Sequence, residues 1–203
     1  MIKPKNGGNW GIFGGRFDPV HLGHLQIAEQ VCNYKKLTGI LFVPSFNHPL
    51  KKDKANANFE QRCDMLKLAF EDYEQFCLSE IELNYELSGF TIDTIKKLKD
   101  IFASCTFYFI IGADNMHQFQ QWYKPDEILK EAEILLAARP GYELKIIENL
   151  PKDRIEIIET DLFDISSTEL RKLLGENTNS AKLNDYISPK VLSYIRKNKL
   201  YRL

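Results

Sequence analysis

Short apolar runs alternate along this chain with segments of helical periodicity, and that alternation restricts the available folds more than any other feature. Residues 10–13, 40–43, 107–111 and 134–137 are brief stretches rich in Ile, Leu, Val and aromatic residues, the pattern of strands covered on both faces. Between them Leu22–Tyr34, residues 59–70 and Thr91–Ile101 place apolar residues at helical spacing. Ile155–Glu159 reads as a fifth or sixth strand, and residues 167–174 as a helix capped by Ser or Thr. Strands that alternate with helices pair in parallel, with helices packed on both faces. The expected fold is α/β, a doubly wound parallel sheet. A single domain is expected over residues 1–203, with a C-terminal helical part from about residue 164. No internal repeat, low-complexity tract or linker interrupts it.

Composition narrows the function classes. At 203 residues the chain suits one domain with a real core. Hydrophobic residues make up 44% and charged residues 27%, ordinary values for a soluble globular protein. A formal net charge of −1 gives no reason to expect a surface that wraps nucleic acid. No apolar stretch is long enough for a membrane span, and Met1-Ile2-Lys3-Pro4-Lys5 lacks the apolar core of a signal peptide. Cys32, Cys63, Cys77 and Cys105 are scattered without a C-x-x-C pair, which points to buried free thiols in a reducing cytoplasm. Nothing in the sequence decides between a monomer and a homo-oligomer.

In doubly wound sheets ligands bind beyond the carboxyl ends of the strands, and the chain's most specific string follows the first strand. Gly14-Gly15-Arg16-Phe17-Asp18-Pro19-Val20-His21-Leu22-Gly23-His24 joins a glycine pair to two histidines at the opening of an amphipathic segment. Gly14 and Gly15 make a turn bare enough for a phosphate to approach. His21 and His24, one helical turn apart, are expected to face the same way. The positive end of the helix suits a polyphosphate. Neither a G-x-G-x-x-G nor a G-x-x-x-x-G-K-[ST] spacing is present, and His-x-Gly-His is not zinc-protease spacing.

Three further patches carry chemistry. In Ile165-Ser166-Ser167-Thr168-Glu169-Leu170-Arg171 the hydroxyl residues and Glu169 read as a helix cap. Capping does not account for Arg171, whose fork can reach phosphate oxygens beside the helix start. In Ile110-Ile111-Gly112-Ala113-Asp114 a strand runs into a glycine turn with a carboxylate, which is either a helix cap or a ligand group. Trp122-Tyr123 stands in a polar setting, where an aromatic face can stack on a ring.

The first string resembles the nucleotidyltransferase branch of the HIGH superfamily, and more closely bacterial nicotinate-nucleotide adenylyltransferases, which carry G-G-x-F-D-P-x-H-x-G-H. The Ile165–Arg171 stretch is similar to that family's I-S-S-T-x-[IL]-R, residues 110–114 to its I-I-G-x-D, and Trp122-Tyr123 to its W-Y. Arg139-Pro140-Gly141-Tyr142 also fits, as a turn after a strand. These motifs fall in the family's order, and the resemblance runs from Trp10 to the tail ending at Tyr201. It implies a Rossmann-like nucleotidyltransferase fold in which Gly14, Gly15, Phe17, His21, His24, Gly112, Ser167 and Arg171 handle ATP. It further implies that Asp114 holds ribose hydroxyls and that Thr91, Trp122 and Tyr123 receive the pyridine nucleotide. Asn47-His48-Pro49-Leu50-Lys51-Lys52 is expected after the second strand, either as a solvated basic loop, as the further Lys54 suggests, or with His48 and Lys51 supplying charge to the leaving pyrophosphate. Relatives read P-P-H-K there, so either Lys51 or Lys52 takes the family lysine's place. Phe90 stands where relatives carry a tyrosine, in S-Y-T-x-D-T.

The resemblance implies transfer of AMP from ATP to nicotinate mononucleotide, giving nicotinate adenine dinucleotide and pyrophosphate. Catalytic roles fall to His24, His21, Arg171 and Lys51. Mg²⁺ would enter with ATP, since no dedicated metal cage is visible. Other acceptors within the superfamily (phosphopantetheine or nicotinamide mononucleotide), cytidylyl transfer from CTP, and a non-catalytic nucleotide-binding regulator stay open at this point. A class I aminoacyl-tRNA synthetase is disfavoured by the short chain and the lack of a K-M-S-K-S string.

Overall fold

Six strands pair into one sheet in the order β3–β2–β1–β4–β5–β6, every pair parallel. The computed structural model describes residue 4 and residues 7–46, 56–138, 151–161, 165–176 and 180–201. The strands are β1 (Gly8–Gly15), β2 (Gly39–Pro44), β3 (Phe76–Leu78), β4 (Cys105–Gly112), β5 (Glu133–Ala138) and β6 (Ile155–Glu159). Helices α1 (Leu22–Tyr34), α2 (Phe59–Ala69), α3 (Ile81–Asn84), α4 (Thr91–Ile101) and α5 (Ala113–Met116) follow in chain order. After them come α6 (Pro125–Glu131), α7 (Ser167–Gly175), α8 (Ser180–Asn184) and α9 (Pro189–Lys197).

The continuous apolar runs are strands because both faces are covered. Phe13, Ile40, Phe42, Ile110 and Leu135 point into one core with Ala28 and Val31 of α1, Met65 and Leu66 of α2, and Val191 and Ile195 of α9. Their alternates Trp10, Ile12, Leu41, Val43, Phe109 and Leu136 point into the other core, against Ile92, Ile95 and Leu98 of α4 and Ile128 of α6. Alternate side chains of a strand face opposite ways, so each run must be apolar throughout.

Some elements carry no clear periodicity in the sequence. β3 has three residues and is placed by its pairing, Ile40 with Phe76 and Phe42 with Leu78, rather than by any run of its own. α6 starts at a proline, which suits a first turn, and α9 is capped by the Ser188 hydroxyl. For α7 the capping residue is Ser166, which accepts from the Glu169 amide while Glu169 reaches back to the Ser166 amide. The loop positions His48, Lys51 and Lys52 and the turn Arg139–Tyr142 lie outside the described residues.

The sheet order reverses between β1 and β4, since β1 leads outward to β2 and β4 leads the other way to β5. A crevice forms at such a point beyond the carboxyl ends of the strands. Gly14-Gly15 ends β1 and Gly112 ends β4, so both open onto it.

Candidate active site

The segment after β1 folds back through a compact turn before α1 starts. Phe17 adopts a left-handed backbone (φ 48°) and is buried, and Asp18-Pro19 is a cis peptide. The Phe17 ring lies edge-on to Phe13 and 5.1 Å from the His24 ring. A side chain at Gly15 would meet the Phe17 ring at 3.0 Å, whereas Gly14 is exposed with only the Phe109 ring near it, at 3.7 Å. A side chain at Gly15 would thus press the Phe17 ring aside by a few tenths of an ångström, and Gly14 leaves room at the crevice.

α1 spans Leu22–Tyr34, the bounds that the periodicity predicts, and His21 stands just before it. His21 sits at the N-cap with extended backbone (φ −141°, ψ 169°). The expected pairing of the rings is present: their centroids are 3.7 Å apart and 37° from parallel. The His21 N–H donates to His24 Nδ1 at 3.3 Å. That bond makes Nδ1 the acceptor and so puts the proton of the neutral ring on Nε2. Burial lowers the His21 pKa to about 4, and burial together with His21 holds His24 well below its ordinary value. Two imidazolium rings this close would repel, so the pair is neutral at physiological pH. The helix end is less open than a bare N-terminus, because the Leu22 N–H donates to the Tyr186 carbonyl at 2.8 Å.

Arg171 and Ser167 reach this same turn from α7. Arg171 Nη1 donates to the Asp18 carbonyl at 2.6 Å, and Nη2 to the Thr168 hydroxyl at 3.2 Å. The Ser167 hydroxyl donates to the Pro19 carbonyl at 3.1 Å. Its proton is thereby used within the protein, which leaves the Ser167 backbone N–H, at the first turn of α7, as its donor toward an anion. Gly14, Gly15, Phe17, His21, His24, Ser167 and Arg171 are thus brought together from the two ends of the chain.

A second group gathers beyond β4. A side chain at Gly112 would meet nothing within 4 Å. Asp114 lies inside the first turn of α5 rather than capping it, with its carboxylate exposed. Trp122 is half-buried against Phe119 (5.5 Å) and edge-on to Phe109 (6.0 Å). Tyr123 is exposed, and its ring lies 4.4 Å from that of Phe90. Phe90 is the N-cap of α4 and supplies no capping oxygen, so Thr91 opens a helix whose first amides lack a side-chain cap. Among the described residues no group of three or more His, Cys, Asp or Glu is placed to hold a metal ion, and no helix is long and apolar enough to cross a membrane.

Residues 12–173 match the family described as cytidylyltransferase-like. A Bacteroides thetaiotaomicron protein named as a probable nicotinate-nucleotide adenylyltransferase is 35% identical, over 92% of this chain and 90% of its own length. One of the same name from Oceanobacillus iheyensis is 38% identical, over 94% and 95%. The chain belongs to the nicotinate-nucleotide adenylyltransferase family. It is accordingly a nucleotidyltransferase enzyme. The fold is also that of a Plasmodium falciparum nicotinic acid mononucleotide adenylyltransferase complexed with NaAD, with a TM-score of 0.81 at 24% identity, covering 95% of this chain and 97% of that one.

Three buried polar residues of this adenylyltransferase fold have partners that no local sequence pattern reveals, although Asp18 itself lies within the string after β1. Arg62 on α2 is 3% exposed and donates to the carbonyls of Arg16 (2.7 Å) and Ser45 (2.8 Å), so it ties the loop after β1 to the loop after β2. Glu82 accepts from the Phe46 N–H at 2.9 Å and from the Thr94 hydroxyl at 3.0 Å, linking the loop after β2 to α4; burial raises its pKa. The Asp18 carboxylate accepts from the amides of Asn56 and Ala57 and from the Tyr201 hydroxyl. Position along the chain hides all three, since their partners are remote in sequence. The one available hint was the improbability of a buried charge without a partner.

Proposed function

We propose that this enzyme transfers AMP from ATP to nicotinate mononucleotide, giving nicotinate adenine dinucleotide (deamido-NAD) and pyrophosphate, a step of NAD biosynthesis. The observation that carries this reading is the neutral histidine pair beside Arg171 at the end of β1, with an aromatic group across the same crevice. The first is a phosphate-handling arrangement, and the second suits a flat heteroaromatic ring. Family membership favours this acceptor over phosphopantetheine, and ATP over CTP.

Phosphoryl transfer asks little covalent chemistry of a protein and much positioning and charge stabilisation. In this reading the acceptor's 5′-phosphate attacks the α-phosphorus in line, with no protein nucleophile. The His24 Nε2–H donates to an α-phosphoryl oxygen as charge develops there, and His21 supports the neighbouring oxygens. Arg171 spends two of its nitrogens on protein oxygens, which fixes the plane of its fork; its remaining donors address the β- and γ-phosphates. Lys51 assists at the pyrophosphate. The substrate is ATP with its Mg²⁺, which the nucleotide's own oxygens carry. Asp114 holds ribose hydroxyls. Thr91, Tyr123 and Trp122 receive the pyridine ring, and the uncapped start of α4 favours the carboxylate of nicotinate. The free, mostly buried thiols support a reducing cytoplasm as the setting.

The test is pyrophosphate release from ATP with nicotinate mononucleotide, nicotinamide mononucleotide and phosphopantetheine as separate acceptors, and from CTP in place of ATP. Nicotinate mononucleotide with ATP should be fastest. Faster turnover with phosphopantetheine or CTP, or no release with any acceptor, would overturn the reading.

A further inference from the structure

The C-terminal end of the chain is built into the phosphate loop. Tyr201 is 9% exposed and holds a left-handed backbone (φ 58°), a conformation that an aromatic residue adopts only where its surroundings demand it. Its hydroxyl donates to Asp18 Oδ1 at 2.7 Å. Asp18 is 1% exposed, and its two carboxylate oxygens also accept the Asn56 N–H at 2.8 Å and the Ala57 N–H at 3.1 Å. The carbonyl of this same residue accepts Arg171 Nη1 at 2.6 Å. One buried residue therefore joins the turn after β1, residues 56–57, α7 and the chain's C-terminal end.

The consequence is directional. A carboxylate held by three donors fixes the rotation of its own side chain and, through it, the peptide on which its carbonyl sits. That carbonyl is what aims the Arg171 guanidinium. With the Tyr201 hydroxyl removed, Oδ1 keeps a single donor in a buried setting, a costly state that the group relieves by turning. Burial, and then the charge of Asp18, push the Tyr201 phenol far above its usual range, so it remains a donor at every working pH. Among the described residues Arg171 and Arg62 are cations whose charge acts on Tyr201, and both donate to backbone carbonyls.

We propose that Tyr201 is a positioning residue for adenylyl transfer, its hydroxyl acting through Asp18 to hold Arg171 at the phosphate loop. The proposal rests on the reading of Arg171 as a clamp on the ATP phosphates. Tyr201→Phe keeps the ring and deletes the hydroxyl. It should weaken ATP binding, measured by calorimetry and as ATP KM, by about five- to tenfold, the effect of one misdirected hydrogen bond. The KM for the acceptor should stay unchanged. In an Arg171→Ala background the same substitution should have no further effect on ATP, because the two act along one path. Asp18→Asn should weaken ATP to a similar degree and be non-additive with Tyr201→Phe. Tyr194→Phe is the control: it removes another phenol–carboxylate bond on the same segment, to Asp64 on α2 at 3.0 Å, away from the phosphate loop. It should lower thermal stability and leave ATP affinity alone. Wild-type ATP affinity in Tyr201→Phe, full additivity with Arg171→Ala, or equal weakening in Tyr194→Phe would each overturn the proposal. Because ATP binding is read without an acceptor, an enzyme that binds ATP but rejects nicotinate mononucleotide would overturn only the acceptor assignment.

Discussion

The proposed mechanism gives His24 two separable duties, and three substitutions distinguish them. Its Nδ1 accepts the His21 N–H at 3.3 Å and so closes the start of α1; its Nε2–H is the donor left for a phosphoryl oxygen. An asparagine can reproduce the first contact through its side-chain oxygen but cannot reach as far as Nε2. A glutamine can place an NH₂ near the Nε2 position and does little for the cap. Loss of one preorganised donor costs about 2.7–4 kcal/mol of transition-state stabilisation, so His24→Asn should lower kcat about 10²–10³-fold with near-normal stability. His24→Ala should lose as much rate and in addition about 0.5–2 kcal/mol of stability with the cap, a Tm drop of a few degrees at this chain length, by the usual ~2–4 °C per kcal/mol. His24→Gln should recover part of the rate while sharing the Tm loss. The assay is steady-state pyrophosphate release at saturating substrates, with Tm from a thermal melt of each variant. If His24→Asn turns over like wild type, or His24→Gln is as slow as His24→Ala, Nε2 is not the operative donor.

The histidine pair also sets a pH signature. His21's folded pKa of about 4 lies below its unfolded value near 6.5, so its neutral form is the one that favours folding; that stability is complete above pH 6.5 and falls as pH drops toward 4, by roughly 3 kcal/mol in all. A melt series should show Tm falling over this window, and a His21→Asn variant that keeps the full wild-type slope would exclude His21 as its cause. Glu82 works with the opposite sign. Its folded pKa is raised by burial, so its contribution is greatest when protonated at low pH and is lost as pH rises through the folded value. Glu82→Gln, whose oxygen can accept from Phe46 while its NH₂ donates to Thr94, should therefore melt above wild type at pH 7.5, with the gap closing near pH 4; a gap that widens on acidification would contradict this. Selection between nicotinate and nicotinamide mononucleotides should favour the acid by about 10–10²-fold in kcat/KM, the cost of leaving one buried donor unpaired. The Trp122 backbone N–H already donates to the Phe119 carbonyl, so the Thr91 hydroxyl and the start of α4 are the reading groups that this comparison tests. Equal kcat/KM values for the two substrates would refute that account.

The sequence determined the elements whose signal is local. Runs such as residues 107–111 are apolar without interruption because both faces of β4 are buried, and the amphipathic stripe of α1 marks a helix lying on the sheet. The glycine pair, His21, His24 and Arg171 were legible because their residue types and order carry the resemblance to the family. Helix bounds were legible where caps are local, as Ser166 with Glu169 shows. Tertiary structure alone decided the rest. β3 exists through its pairing with β2, since three residues cannot declare a period. His21 became the cap of α1, a choice made by the His24 ring and by the turn at Phe17. The Ser167 hydroxyl was claimed by Pro19, and the first amide of α1 by Tyr186. The partners of Asp18, Arg62, Glu82 and Tyr201 were decided only on folding. A buried charge is stable only where its partners converge, and these partners come from segments as far apart as Asp18 and Tyr201. Periodicity and local motifs report on neighbours within a turn or a strand, whereas the orientation of the turn after β1 is set by hydrogen bonds between segments that meet only in the folded chain.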